Sequence, residues 1–307
     1  MMRENRNQRV RAKLLAHGYV GLAIILAAEA LLFAGNQVVG RWFTPIIWTG
    51  YILLVDALVY RLKGRSLLVT ERIELIIIII ISIGGWWLFE FYNAPRFWQS
   101  DLELWWHYHN LQPNLFLRRV GYDWAFATIF PAMFETAELF AATFLKELRP
   151  ARPLKLSRPA LYVMILIGAV SALIPLLFVS SWFVPLVWLS LIFLLDPINA
   201  LRGWPSIVGD LARGNYRRLA ALLAGGGFCG VLWEFWNYWA ITKWTYTVPF
   251  LGDVKIFEMP VLGYFGFPPF AVECWAMYIF FRSLLGPRPG ASQMGESEIW
   301  IASSKLD

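Results

Sequence analysis

Apolar residues in this chain run in long unbroken stretches instead of alternating with polar ones. Eight stretches have spanning or near-spanning length: 14–34, 43–60, 73–92, 124–145, 159–180, 182–201, 219–240 and 260–281. None of them contains Lys or Arg. The pattern predicts an all-α, polytopic integral membrane protein of eight transmembrane helices. The first stretch follows Arg3, Arg6, Arg9, Arg11 and Lys13 and so imitates a signal peptide. It is long enough to span and lacks a clear cleavage site, so it reads as an uncleaved first helix.

Charge then orients these helices. With the N-terminus inside, the inner segments hold twenty-one of the 27 Lys and Arg residues, including Lys146, Arg149, Arg152, Lys155 and Arg158. That is the positive-inside pattern of a plasma (inner) membrane protein with both termini cytoplasmic. The net charge of +6 is thereby accounted for as topology, and a nucleic-acid partner is not expected. Composition agrees: 58% of residues are hydrophobic and only 16% charged, against about 25% in soluble domains. The organisation expected is a basic N-terminus (1–13), a four-helix unit (14–145), a basic linker (146–158), a second four-helix unit (159–281) and a polar cytoplasmic tail (282–307).

The two units look alike. Trp42-Phe43-Thr44-Pro45-Ile46-Ile47-Trp48 recurs as Trp182-Phe183-Val184-Pro185-Leu186-Val187-Trp188, and the same offset pairs Asp56 with Asp196 and Ser66 with Ser206. Leu88-Phe89-Glu90-Phe91-Tyr92-Asn93 recurs as Leu232-Trp233-Glu234-Phe235-Trp236-Asn237, and Trp106-His107-Tyr108 as Trp244-Thr245-Tyr246. Glu135 then pairs with Glu273. Four spans per unit, an even number, insert both copies in the same sense, with a pseudo-two-fold axis along the membrane normal.

The candidate chemistry is acidic. Glu29, Asp56, Glu90, Glu135, Glu138, Asp196, Glu234 and Glu273 lie inside spans, where a charge is expensive. With no Lys or Arg in the spans, these acids are expected to lack internal salt bridges. They are then protonated, hydrogen-bonded, cation-bound or in a wet cavity. Two readings stay open for them: interhelical hydrogen-bonding groups, or a functional site. On the functional reading Glu135 and Glu273 are the catalytic acids, each four residues after a proline (Pro131, Pro269) that kinks its helix toward the interior. Glu90 and Glu234 orient substrate or shuttle protons beside Asn93 and Asn237, three residues on along the same helical face. Asp56 and Asp196 form a proton or cation path.

Fourteen of the seventeen Trp residues fall on the outer side. A belt at the interface is one explanation. An aromatic pocket opening from the outer leaflet is the other, with Asn93, Asn237, Trp106, Tyr108, Trp233, Trp236, Trp244 and Tyr246 as substrate-binding residues. Two cysteines give no disulfide framework, and His107 with His109 gives only a weak zinc signal, so no metal site and no particular cofactor are expected.

The stretch Lys243-Trp244-Thr245-Tyr246, followed by Gly252, Ile256-Phe257 and Pro260, resembles the membrane-type lycopene cyclases and carotenoid hydratases. Over about 40 residues and their duplicate it shares a Trp-x-Tyr, a glycine and a Pro-led, Phe-rich helix with acids. The Pro-x-Glu-Glu of the cyclases is absent: Val261, Leu262 and Gly263 follow Pro260. The resemblance implies acid chemistry on a long isoprenoid held between helices. Three functions follow from the sequence: a membrane protein handling an apolar, isoprenoid or lipid substrate by carboxylate acid/base chemistry; a proton- or cation-coupled transporter; or a structural or assembly subunit.

Overall fold

A computed structural model describes residues 13–94, 104–178, 180–286 and 298–301. The chain is mostly helical with little sheet, and among the described residues seven helices are long and apolar enough to cross a membrane. In chain order the helices are α1 (Ala16–Phe33), the short α2 (Gln37–Arg41), α3 (Phe43–Lys63), α4 (Arg72–Asn93), α5 (Leu115–Ala142), α6 (Arg158–Leu177), α7 (Val184–Leu201), the short α8 (Ile207–Ala212), α9 (Arg217–Trp239) and α10 (Phe267–Leu284). Polar caps set several of the starts: Asn36, Asn114, Ser157 and Ser206 each accept a backbone N–H from the first turn of their helix. Gly64, at φ 72°, ends α3 in the left-handed conformation that glycine adopts without steric cost.

Helix α1 packs on α3, and α6 on α7. These two outlying helices bury little of themselves. In α1 the buried residues are Gly18, Gly21 and Ala28, and in α6 they are Leu161, Gly168 and Pro175. Small residues at the contact and Leu, Val and Tyr on the open face are what lipid-facing helices require, since lipid is as apolar as leucine. The centre is the opposite. Thr128–Glu138 of α5 and Phe270–Ile279 of α10 are buried throughout, enclosed by α3, α4, α7 and α9.

The expected boundaries shift at two places. The stretch at 124–145 is helical from Leu115, because the turns carrying Arg118, Arg119 and Asp123 extend the helix past the apolar run. Arg119 pairs with Asp123 at 2.9 Å and lies over the Trp87 ring, so their charge is neutralised locally. The stretch at 260–281 becomes α10 only at Phe267. Residues before it form β4 (Met259–Pro260), paired with β3 (Lys255–Ile256), and a 3-10 helix (Val261–Gly266). Pro269 therefore lies in the first turn of α10 and does not kink its interior. The first turn lacks intrahelical acceptors, and a missing N–H costs little there. Pro131 does lie inside α5.

Two further expectations are corrected. Buried acids have basic neighbours: Lys63, just beyond its apolar stretch, forms an ion pair with Glu138, and the His17 ring nitrogen Nε2 is hydrogen-bonded to Asp56 Oδ2 at 2.9 Å. Arg282 pairs with Glu74, a further buried acid at the start of α4. The tail, expected to be polar, also returns to the core. Ile299, Trp300 and Ile301 are buried, Ile299 accepts the Trp275 indole N–H at 2.7 Å, and Ile299 N–H donates to Glu138 at 2.9 Å. The basic residues before Lys13 lie outside the described residues.

One element was not anticipated. β1 (Trp106–His109) pairs antiparallel with β2 (Lys243–Tyr246), joining two segments far apart in sequence. This strand pair closes one end of the helix bundle, called the strand end below.

Candidate functional site

The strand pair is held from below by two asparagines. Asn93, at the end of α4, donates Nδ2–H to Trp106 O at 2.8 Å and accepts Trp105 N–H at 2.9 Å. Asn237, near the end of α9, donates to Trp244 O at 2.8 Å and accepts Trp244 N–H at 2.9 Å. Both amides are thus occupied by strand backbone. They position the strands, and their side chains do not line the cavity described next.

Below the strands lies a cavity of about 400 Å³, bounded by α3, α4, α5, α7, α9, α10 and both strands. Its walls are aromatic: Trp48, Trp86, Trp106, Trp188, Trp233 and Trp244 all face it, with Phe126 and Phe270. The rings form a continuous packed shell. Trp86 meets Trp233 at 5.5 Å between centroids, Trp106 meets Trp188 at 5.8 Å, and Trp233 meets Trp244 at 5.6 Å. Met133, Cys229 and Gly226 line it nearest the bundle centre. Glycine is required there, since a Cβ on Gly226 would stand 2.6 Å from Phe267 O.

Behind the aromatic shell stand two carboxyls. Glu90 Oε1 accepts the Tyr108 hydroxyl at 2.5 Å, the Trp86 indole N–H at 2.8 Å and the Trp106 indole N–H at 3.2 Å. Glu234 Oε1 accepts the Tyr246 hydroxyl at 2.6 Å, and that hydroxyl accepts the Trp244 indole N–H at 2.6 Å. Tyr108 and Tyr246 themselves line the cavity. Burial, then the adjoining Glu90 carboxyl, pushes the Tyr108 hydroxyl well above the ordinary tyrosine value, and burial with Glu234 does the same for Tyr246. Both hydroxyls are therefore protonated at neutral pH and available as donors. Glu234 keeps Oε2 buried without a hydrogen-bond partner.

The remaining acids gather away from the strand end. Asp56 accepts Leu68 N–H at 2.7 Å and the Ser66 hydroxyl at 2.9 Å, and Asp196 accepts Ile207 N–H at 2.7 Å and Val208 N–H at 2.9 Å. Each pins the turn that follows its helix. Glu135 accepts Leu67 N–H at 3.1 Å and stands against the Asp56 carboxyl, while Glu273 accepts Leu191 N–H at 3.0 Å and leaves Oε2 buried without a hydrogen-bond partner among the described residues. Neither lines the aromatic cavity.

The sequence-derived site residues therefore separate into two groups. Glu90, Glu234, Trp106, Tyr108, Trp233, Trp244 and Tyr246 come together around the cavity. Glu135, Glu273, Asp56 and Asp196 do not join them. Trp236 turns away, donating its indole N–H to Glu29 at 3.1 Å. Trp48, Trp86 and Trp188 were not singled out from sequence as binding residues, although Trp48 and Trp188 stand in the duplicated Trp-Phe-x-Pro motif. Among the described residues no group of His, Cys, Asp and Glu has the arrangement of a metal site. No family model, characterised protein or solved structure matches the chain.

Proposed function

We propose that this protein holds an apolar, isoprenoid- or lipid-like molecule in the aromatic cavity and acts on it through the two carboxyl–tyrosine pairs. The observation that carries the reading is the placement of Tyr108 and Tyr246 in the cavity wall, each hydrogen-bonded to a carboxyl that does not itself face the cavity. In such a relay the tyrosine oxygen takes a proton from the ligand while its own hydroxyl proton passes to the Glu90 or Glu234 carboxylate that accepts it, and the reverse transfer returns the proton. The apolar walls exclude water, which keeps both charge and proton in the relay. This reading moves the acid/base role from Glu135 and Glu273 to Glu90 and Glu234. The resemblance to the carotenoid-modifying enzymes fits it, since that resemblance rests on Trp244 and Tyr246.

We read the bundle as eight crossings in two repeats related by a pseudo-two-fold axis, with both termini cytoplasmic in a plasma membrane. Several features favour repeats. The duplicated Trp-x-Tyr segments pair with each other, Asn93 and Asn237 grip them with the same atoms, and Asp56 and Asp196 pin corresponding turns. Helix α10 serves as the eighth crossing. Its central residues, Phe270–Ile279, are enclosed by protein, so it needs less apolar surface than a lipid-facing helix.

A proton- or cation-coupled transporter is the second reading. It is favoured by the facing carboxyls of Glu135 and Asp56 and the buried Oε2 of Glu273, which has no hydrogen-bond partner among the described residues. Extraction of the purified protein with organic solvent, followed by absorbance and mass spectrometry, separates the two. A stoichiometric apolar molecule, altered or lost in Tyr108→Phe and Tyr246→Phe, supports the first. Ion flux abolished by Glu135→Gln, with no such molecule, supports the second.

A further inference from the structure

We propose that the ligand of the cavity is an amphiphile: an apolar body enclosed by the tryptophans and an anionic head, phosphate or carboxylate, held at the rim by Arg41 and Arg118. The proposal rests on the reading of the cavity as a ligand site and adds the chemistry of the ligand's end.

Both arginines line the cavity whose walls are otherwise largely aromatic and aliphatic. Arg41 ends α2 and Arg118 lies in the first turn of α5. The two segments meet through Trp42, whose ring lies 3.7 Å from where a Cβ on Gly121 would be.

Two neighbouring cations at the strand end are neutralised, Arg119 by Asp123 at 2.9 Å and Lys243 by Glu258 at 2.6 Å, and Lys255, which has no ion pair among the described residues, does not line the cavity. Among the described residues, Arg41 has no carboxylate within ion-pair distance. Arg118 uses only Nε, donating to Gln112 O at 2.8 Å, which fixes the plane of its guanidinium and leaves the terminal N–H groups to point elsewhere. Two charged forks without carboxylates, on the edge of an apolar chamber, form a complementary seat for an oxyanion. Arginine binds carboxylate and phosphate oxygens in a bidentate way. A wholly apolar ligand has no use for them, and a cationic one is repelled.

The test uses the full-length protein in a neutral maltoside detergent, with dibromostearic acid, dibromostearyl alcohol and the corresponding alkyl monophosphate as probes. Bromine on the chain quenches nearby indoles, so saturable loss of tryptophan fluorescence reports entry into the cavity. The proposal expects the acid or the phosphate to bind about tenfold or more tightly than the alcohol. Arg41→Gln with Arg118→Gln should remove that preference while leaving alcohol binding unchanged, which also shows that the double variant is folded. Whichever anion binds more tightly names the head group. Equal binding of alcohol and anions to the wild type overturns the amphiphile and leaves the cavity reading intact. Quenching that fails to saturate with every probe overturns both.

Discussion

His107 and Thr245 are Cα partners at the centre of the β1–β2 pair, so Trp106 meets Tyr246 and Tyr108 meets Trp244. Each Trp-x-Tyr segment therefore presents its tryptophan to the other segment's tyrosine. A local two-fold axis through the central pair produces this register, and a slip by one residue would turn both tyrosines away from Glu90 and Glu234. The strand register and the two carboxyl–tyrosine hydrogen bonds depend on one another.

The asparagines hold that register. Asn93→Ala and Asn237→Ala each leave buried strand N–H and C=O groups without partners, and each should lower stability by about 1–3 kcal/mol. Paired cysteines at His107 and Thr245 should cross-link readily in the wild type and poorly in either alanine variant. Denaturation curves and cross-linking yield measure the two effects.

Alkaline pH gives a second test. Burial and the adjoining carboxyls raise the pKa of Tyr108 and of Tyr246 above the ordinary value of about 10. A group raised in the folded state contributes stability that is complete below the unfolded value and disappears as pH climbs toward the folded one. The contribution of these two tyrosines should be constant to about pH 9 and fall away progressively above about pH 10. Tyr108→Phe with Tyr246→Phe should flatten that decline, read from unfolding midpoints across the range.

The small residues of α9 differ sharply in what they tolerate. A Cβ on Gly226 would stand 2.6 Å from Phe267 O, whereas one on Gly227 would meet Pro268 Cγ at 3.6 Å, an ordinary contact. Gly226→Ala should cost about 1–3 kcal/mol by forcing α9 and α10 apart, and Gly227→Ala should be neutral or slightly stabilising. Thermal unfolding of the two variants makes the comparison.

At the other end, Lys63 and Glu138 form a pair with the carboxylate almost wholly buried. Lys63→Met leaves Glu138 with only the Ile299 N–H and should destabilise by about 3–5 kcal/mol. Lys63→Met combined with Glu138→Leu should recover much of that loss. A double-mutant cycle on unfolding free energies checks it.

Much of the fold is legible in the sequence because a bilayer imposes length and apolarity on each helix, and those are visible in unbroken runs such as 159–180. Boundaries fail where charges are neutralised by neighbours, as with Arg119 and Asp123 at the start of α5. They fail also where an apolar run is spent on another structure, as at 260–266. The duplicated Glu-Phe-x-Asn motif and the Trp-x-Tyr motif point to half of the site. The cavity walls formed by Trp48, Trp86 and Trp188 could not be separated from an interfacial belt, since both need aromatic residues at the same depth. The return of Ile299–Ile301 to the core leaves no periodic signal in three residues. The partners of Glu138 and Asp56 were hidden because a lysine just past an apolar run reaches back into it, and a histidine inside one carries no fixed charge.

The central claim is occupancy of the aromatic cavity by an apolar molecule. A prenyl chain carrying a diazirine, photolysed with the purified protein and mapped by peptide mass spectrometry, tests it most directly. The account predicts adducts on cavity residues such as Met133 and Trp188, suppressed by excess unlabelled prenyl chain. Adducts confined to open faces of α1 and α6, at residues such as Leu26 and Leu166, and not suppressed by competitor, would contradict it.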